Sequence, residues 1–113
     1  MAALKAENLN YIYDDYKKWK GDWELFDGLA VAMSPAPMCK HQSLAATLIR
    51  EIGNQLSDCN QCKILGEVDC KISEYTTLKP DIVLTCGETN EYYLTKAPEL
   101  IVEIISKLTA KRD

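Results

Sequence analysis

Two short apolar runs, each opened by a proline, constrain this chain more than any other feature. Pro80 precedes Asp81 to Cys86, and Ala97-Pro98 precedes Glu99 to Ser106. Both are nearly continuous in aliphatic side chains, as strands buried on two faces require; a strand with one wet face would alternate apolar with polar. They therefore belong in the middle of a sheet. The polar stretch between them, Gly87 to Lys96, is long enough for a loop or a short helical crossover.

The remaining segments supply what would surround that sheet. Tyr13, Tyr16 and Trp19 recur every third position over Tyr11 to Lys20, and Asp14 and Asp15 suit a helix N-terminus, so a short helix is predicted. Trp23 to Phe26, Asp27-Gly28 and Leu29 to Ser34 predict a hairpin, because an Asp-Gly pair tolerates the positive φ of a two-residue turn. Ser34-Pro35-Ala36-Pro37 cannot continue a ladder and reads as a linker. Leu44, Leu48, Ile52 and Leu56, flanked by Ala45 and Ile49, form one apolar stripe over Gln42 to Leu56, an amphipathic helix. Lys63 to Gly66 and Val68 to Ser73 predict a strand pair or one strand bent at Gly66. Helices and strands mix as in an α/β (α+β) fold, and a chain of 113 residues makes one domain spanning 1–113.

An apolar fraction of 47% with 27% charged residues is that of a globular chain and excludes disordered and low-complexity classes. Thirteen basic against seventeen acidic residues leave a net charge of −4, which argues against coating nucleic acid by counterion release but not against a nuclease with an acidic site. No apolar run approaches the roughly 18 residues of a membrane span, and the first residues lack the apolar stretch of a signal peptide. The expectation is a cytoplasmic protein with no membrane partner. Five cysteines then imply reduced thiols without a disulfide framework. Cys59-Asn60-Gln61-Cys62 has CxxC spacing, but no second pair completes the four ligands of zinc.

Chemistry concentrates on two carboxylates. Alternation along Leu100 to Ser106 sets Glu103 among aliphatic side chains, where a lone charge is costly unless paired, protonated or bound to a cation. Asp81, at the start of the other run, is its natural companion. Neighbouring strands lie about 4.8 Å apart, so two carboxylates on one face can share a divalent ion. The same residues also admit a plainer reading, with Asp81 in the turn before its strand and Glu103 paired with a lysine or arginine.

The order of these segments narrows the choice. WELFDGLAVAMSPAPMCKHQ, LKPDIVL, APELIVEIIS and TAKRD, together with YIYDDYKKW, resemble the Uma-type family of restriction endonucleases, within the PD-(D/E)XK nuclease superfamily. No single motif is specific, but five in this order are. The resemblance covers nearly the whole chain and implies a restriction-endonuclease-like mixed sheet with an N-terminal hairpin and flanking helices. It implies a metal-dependent endonuclease that hydrolyses phosphodiesters with Mg2+ or Mn2+, Asp81 and Glu103 being the motif carboxylates, catalytic and metal-binding. The nucleic acid would be DNA rather than RNA.

The motif lysine is displaced. Ile105 stands two residues after Glu103, and the family supplies a lysine from a following helix that a chain stopping at Asp113 lacks, together with its closing strands. Lys107 falls on the Glu103 face, but four residues span about 13 Å, and Lys71 is a second candidate. His41, Lys111 and Arg112 are candidate nucleic-acid contacts. Glu67 and Asp69 would add outer metal contacts or sit solvated at a strand edge, Glu51 fits a solvated helix face, and Tyr92 and Tyr93 would stack on bases or simply pack. The expectations are an endonuclease domain of weak or no activity or, alternatively, a non-catalytic remnant acting as an association module. A homodimer or larger homo-oligomer is expected, because missing strands leave an apolar edge open.

Overall fold

The structure, a computed structural model, describes residues 10–33, 38–90 and 92–105. In chain order its elements are α1 (Tyr13–Tyr16), β1 (Trp23–Phe26), β2 (Leu29–Ala32), α2 (Cys39–Gln55), β3 (Cys62–Leu65), β4 (Cys70–Ser73), β5 (Thr76–Leu78), β6 (Ile82–Cys86) and β7 (Leu100–Val102). They form two sheets, ordered β2-β1-β5-β4 and β3-β6-β7, in a mixed α+β architecture. Every ladder is antiparallel; a parallel contact is the isolated bridge between Cys70 and Leu94. Among the described residues no helix is long and apolar enough to cross a membrane.

The chain divides into two compact, interleaved units, the first being Met1–Met33, Asp69–Lys79 and Asn90–Ala97. Its sheet begins with the hairpin β1–β2, in which Trp23 pairs with Ala32 and Phe26 with Leu29. Asp27 and Gly28 sit at φ of 50° and 81°, the left-handed pair that a two-residue turn requires. Gly28 is also closely approached: a Cβ there would lie 2.7 Å from the backbone nitrogen of Asn10. The helix α1 is shorter than its aromatic periodicity suggested. Asp15 closes its first turn by accepting the Ile12 N–H at 3.0 Å. Leu25, Cys70 and Thr77 are fully buried, with Leu94 and Tyr16 nearly so.

The second unit comprises Ser34–Val68, Pro80–Thr89 and Pro98–Asp113. Here β6 is the central strand, with Ile82, Val83 and Thr85 fully buried, as its continuous apolar run implies. α2 starts three residues before the expected Gln42, and Ala45 is its buried residue while Leu44 is 47% exposed, so the stripe is rotated slightly from the expected one.

Three expectations are corrected. β3 and β4 are neither a pair nor one bent strand: β3 pairs with β6 in the second unit, and β4 turns back through Glu74-Tyr75 onto β5 in the first. The hairpin was hidden because Thr76–Leu78 is too short to show a period. β7 is not a central buried strand. It has three residues, pairs with β6 on one side, and leaves Leu100 45% and Ile101 44% exposed. Nor are all thiols reduced: Cys62 and Cys86 face each other in the β3–β6 register and are joined as a disulfide. Spacing in sequence carries no sign of that pairing, which needs the two strands to be neighbours. The linker Ser34-Pro35-Ala36-Pro37 lies outside the described residues.

Candidate active site

Pro80 is buried and ends the extended segment after β5, so that Asp81 stands at the first position before β6. In the antiparallel β6–β7 register Ile82 pairs with Val102. Asp81 directly precedes β6 and Glu103 directly follows β7, so both lie just beyond the paired residues at the same end of the two strands. The setting expected of Glu103 is corrected: it is exposed and beyond the end of β7, not sequestered among aliphatics.

Asp81 is the more enclosed of the two, its side chain 15% exposed. Its Oδ2 accepts the Ile104 N–H at 2.8 Å, which pins the backbone just after Glu103 to the start of β6. The same oxygen lies 3.4 Å from Nε2 of His41, whose side chain is 17% exposed and whose Nδ1 is buried without a partner among the described residues. His41 therefore belongs beside the carboxylate, brought there by the first turn of α2. The sequence offered it as a contact to phosphate or to the site, or as a local hydrogen-bonding residue, and a separation of forty residues does not say which; its partner here is Asp81.

Mg2+ and Mn2+ are hard cations that take oxygen donors and are often held by one or two carboxylates with water completing the shell. Among the described residues no group of three or more histidine, cysteine or acidic side chains is placed to hold a metal ion.

The other candidates disperse. Lys107, Lys111 and Arg112 lie outside the described residues. Lys71 sits in the first unit, 4.5 Å over the Tyr13 ring and 3.9 Å from Glu74. Asp69, also there, accepts the Tyr16 hydroxyl at 2.9 Å. Glu67 is exposed, and Glu51 contacts Arg50 on the surface at 3.3 Å. Tyr92 is 77% exposed, whereas Tyr93 packs on Tyr13 with ring centroids 5.3 Å apart. Cys59 is an exposed free thiol, and Cys62 is committed to its disulfide.

Comparison with known proteins gives a consistent picture. The family model of Uma2, described as "Putative restriction endonuclease", matches residues 13–113. No curated protein matches the chain. Among solved structures, one described as "a putative nuclease belonging to DUF820" from Anabaena variabilis superposes with a TM-score of 0.70 at 19% identity. The match covers 90% of this chain and 64% of that one, so the present chain spans somewhat under two thirds of that protein's length. The likeness establishes a shared fold, and with the family model matching from Tyr13 through Asp113, the chain belongs to the Uma2 family.

Proposed function

We propose that this chain is a metal-dependent endonuclease domain that hydrolyses nucleic-acid phosphodiesters, DNA before RNA, through Asp81 and Glu103. What supports the reading is that Asp81 directly precedes β6 and Glu103 directly follows its antiparallel partner β7, at the same end of the two strands, in a chain of this family. A bound Mg2+ or Mn2+ ion would supply positive charge against the phosphate and lower the pKa of a water. The protein's own part is positional. The Ile104 N–H and His41 hold the Asp81 carboxylate in one orientation, and Glu103 extends from the peptide next to that anchor.

Turnover is expected to be slow unless a lysine elsewhere takes the role that Ile105 cannot, because transition-state charge is otherwise poorly offset. Calorimetry with Mn2+ and a plasmid-nicking assay test the reading together. The parent should bind Mn2+ and nick slowly, and Asp81→Ala and Glu103→Ala should each weaken the metal and abolish nicking. Unchanged Mn2+ binding in both variants, or no binding by the parent, would show the site assignment to be wrong.

One observation favours a second reading, a nuclease-fold module that works by association. β7 carries Leu100, Ile101 and, just beyond it, Ile105 at 60% exposure, an apolar edge that strand addition from a second copy would cover. A monomer that binds and cuts DNA would exclude that alternative.

A further inference from the structure

The first unit contains a pocket of about 200 Å3 that the nuclease reading does not use. It is lined by the aromatic residues Tyr16, Trp19 and Trp23, by Gly21, and by the charged residues Lys17, Asp69 and Lys79. The segment Tyr13 to Trp23 builds most of it: α1 delivers Tyr16, and the turn through Gly21, at φ 92°, brings Trp23 against Trp19 with centroids 5.9 Å apart. The orientation of Trp23 is fixed by its ring N–H, which donates to the Lys20 carbonyl at 2.8 Å.

The polar groups are arranged for a ligand that is aromatic at one end and anionic at the other. Tyr16 donates its hydroxyl to Asp69 Oδ1 at 2.9 Å, so the carboxylate is held as an acceptor in the pocket lining. Carboxylates accept from exocyclic amino groups of bases, as with N4 of cytosine. Lys79 is largely buried, 17% exposed, and its ammonium lies 3.5 Å from Asp22, a carboxylate 63% exposed that a phosphate can replace. Lys17 is likewise paired only at the surface, with Asp14 at 3.1 Å. The volume is below the roughly 300 Å3 at which drug-sized pockets begin and suits a single ring system.

We propose that the pocket formed by Trp19, Trp23, Asp69, Lys17 and Lys79 binds one unstacked nucleotide, its amino-bearing base between indole and carboxylate and its phosphate on the lysines. Base–indole contact is tolerant of sequence, and the carboxylate adds a preference for cytosine or adenine over thymine. The inference rests on groups of the first unit and does not depend on the metal site.

Trp19 and Trp23 are the two tryptophans of the chain, so its indole fluorescence reports on this pocket directly. Titration with dCMP is expected to quench it saturably, with TMP weaker and deoxyribose 5-phosphate and choline without effect. Lys79→Gln should weaken dCMP about tenfold, as loss of a charge-assisted phosphate contact implies, and Lys17→Gln several-fold. Trp19→Leu should remove most of the binding; if it fails to fold by circular dichroism, the two lysine variants decide. Equal quenching by the sugar phosphate, quenching by choline, or no saturable response overturns the proposal. Asp81→Ala should bind dCMP like the parent. A chain that binds dCMP but no Mn2+ sinks the nuclease site and leaves this pocket, and the converse result does the opposite.

Discussion

Tyr16 is 7% exposed, yet its hydroxyl lies within reach of two acceptors, the Trp23 carbonyl at 3.1 Å and Asp69 Oδ1 at 2.9 Å. Burial, then the hydrogen bond to Asp69, raises its pKa far above the ordinary 10.0. Burial raises the Cys70 thiol above 9.0 as well, helped by the charges of Asp69 and Glu24. In both cases the unfolded chain releases its proton at a lower pH than the folded one. The stability they confer is therefore fully present below pH 9, and it falls as pH rises through 9 and 10. Urea melts should show this decline, and Tyr16→Phe should flatten its upper part while costing about 1–2 kcal/mol at neutral pH, because Asp69 loses its donor. An unchanged alkaline slope in the variant would count against Tyr16 as a source. Thiol reactivity follows the same burial. Cys39 and Cys59 are exposed, Cys70 is buried, and Cys62 and Cys86 are bonded. A thiol reagent should titrate two groups in the native chain and a third only after unfolding; more than two native groups would contradict this arrangement.

At the scale of elements, two features join segments that are distant in sequence. Gly28 ends the β1–β2 turn at φ 81° and donates its N–H to the Tyr75 carbonyl at 2.8 Å, so one residue serves both the turn and the neighbouring hairpin. Gly28→Ala would add a Cβ 2.7 Å from the Asn10 nitrogen in a conformation L-residues rarely adopt. It should cost about 2 kcal/mol, read as a lower urea midpoint. The Cys62–Cys86 bond closes 24 residues of chain between β3 and β6. Replacing both cysteines by serine should cost about 2–4 kcal/mol under non-reducing conditions, most of it by freeing the unfolded chain. If reductant leaves the melt of the parent unchanged, the bond contributes nothing to stability.

Over the whole molecule the aromatic side chains are partitioned. Both tryptophans, all six tyrosines and the one phenylalanine belong to the first unit, and the second is built from aliphatics. The longest helix, α2 with 17 residues, belongs to the second. Tryptophan fluorescence thus follows the first unit, and far-ultraviolet circular dichroism is weighted to the second. The chain passes between the units five times, at 33/34, 68/69, 79/80, 89/90 and 97/98, so neither unit is a continuous piece. Interleaving of this kind should make unfolding cooperative. Coincident urea transitions by the two probes are expected, and separated midpoints would show two independently melting bodies. Association belongs to this scale too. If the apolar edge at Leu100 and Ile101 recruits a second copy, light scattering across a dilution series will show a dimer that dissociates, whereas a persistent 12.7 kDa species would exclude it.

What the sequence determined by itself was local. Asp27-Gly28 required a left-handed turn, the Pro80 run required a buried strand, and the stripe around Leu48 and Ile52 required a helix, because backbone preference and apolar period act within a few residues. The order of those segments also carried the family. What tertiary structure decided is pairing. Which strand lies beside which settles that β3 leaves β4 for β6, that Cys62 meets Cys86, and that His41 reaches Asp81. It also settles that β7 is half exposed although its composition reads as core. An apolar run states only that burial is favourable, and the neighbours that would provide it are set by contacts whose closure depends on the whole chain.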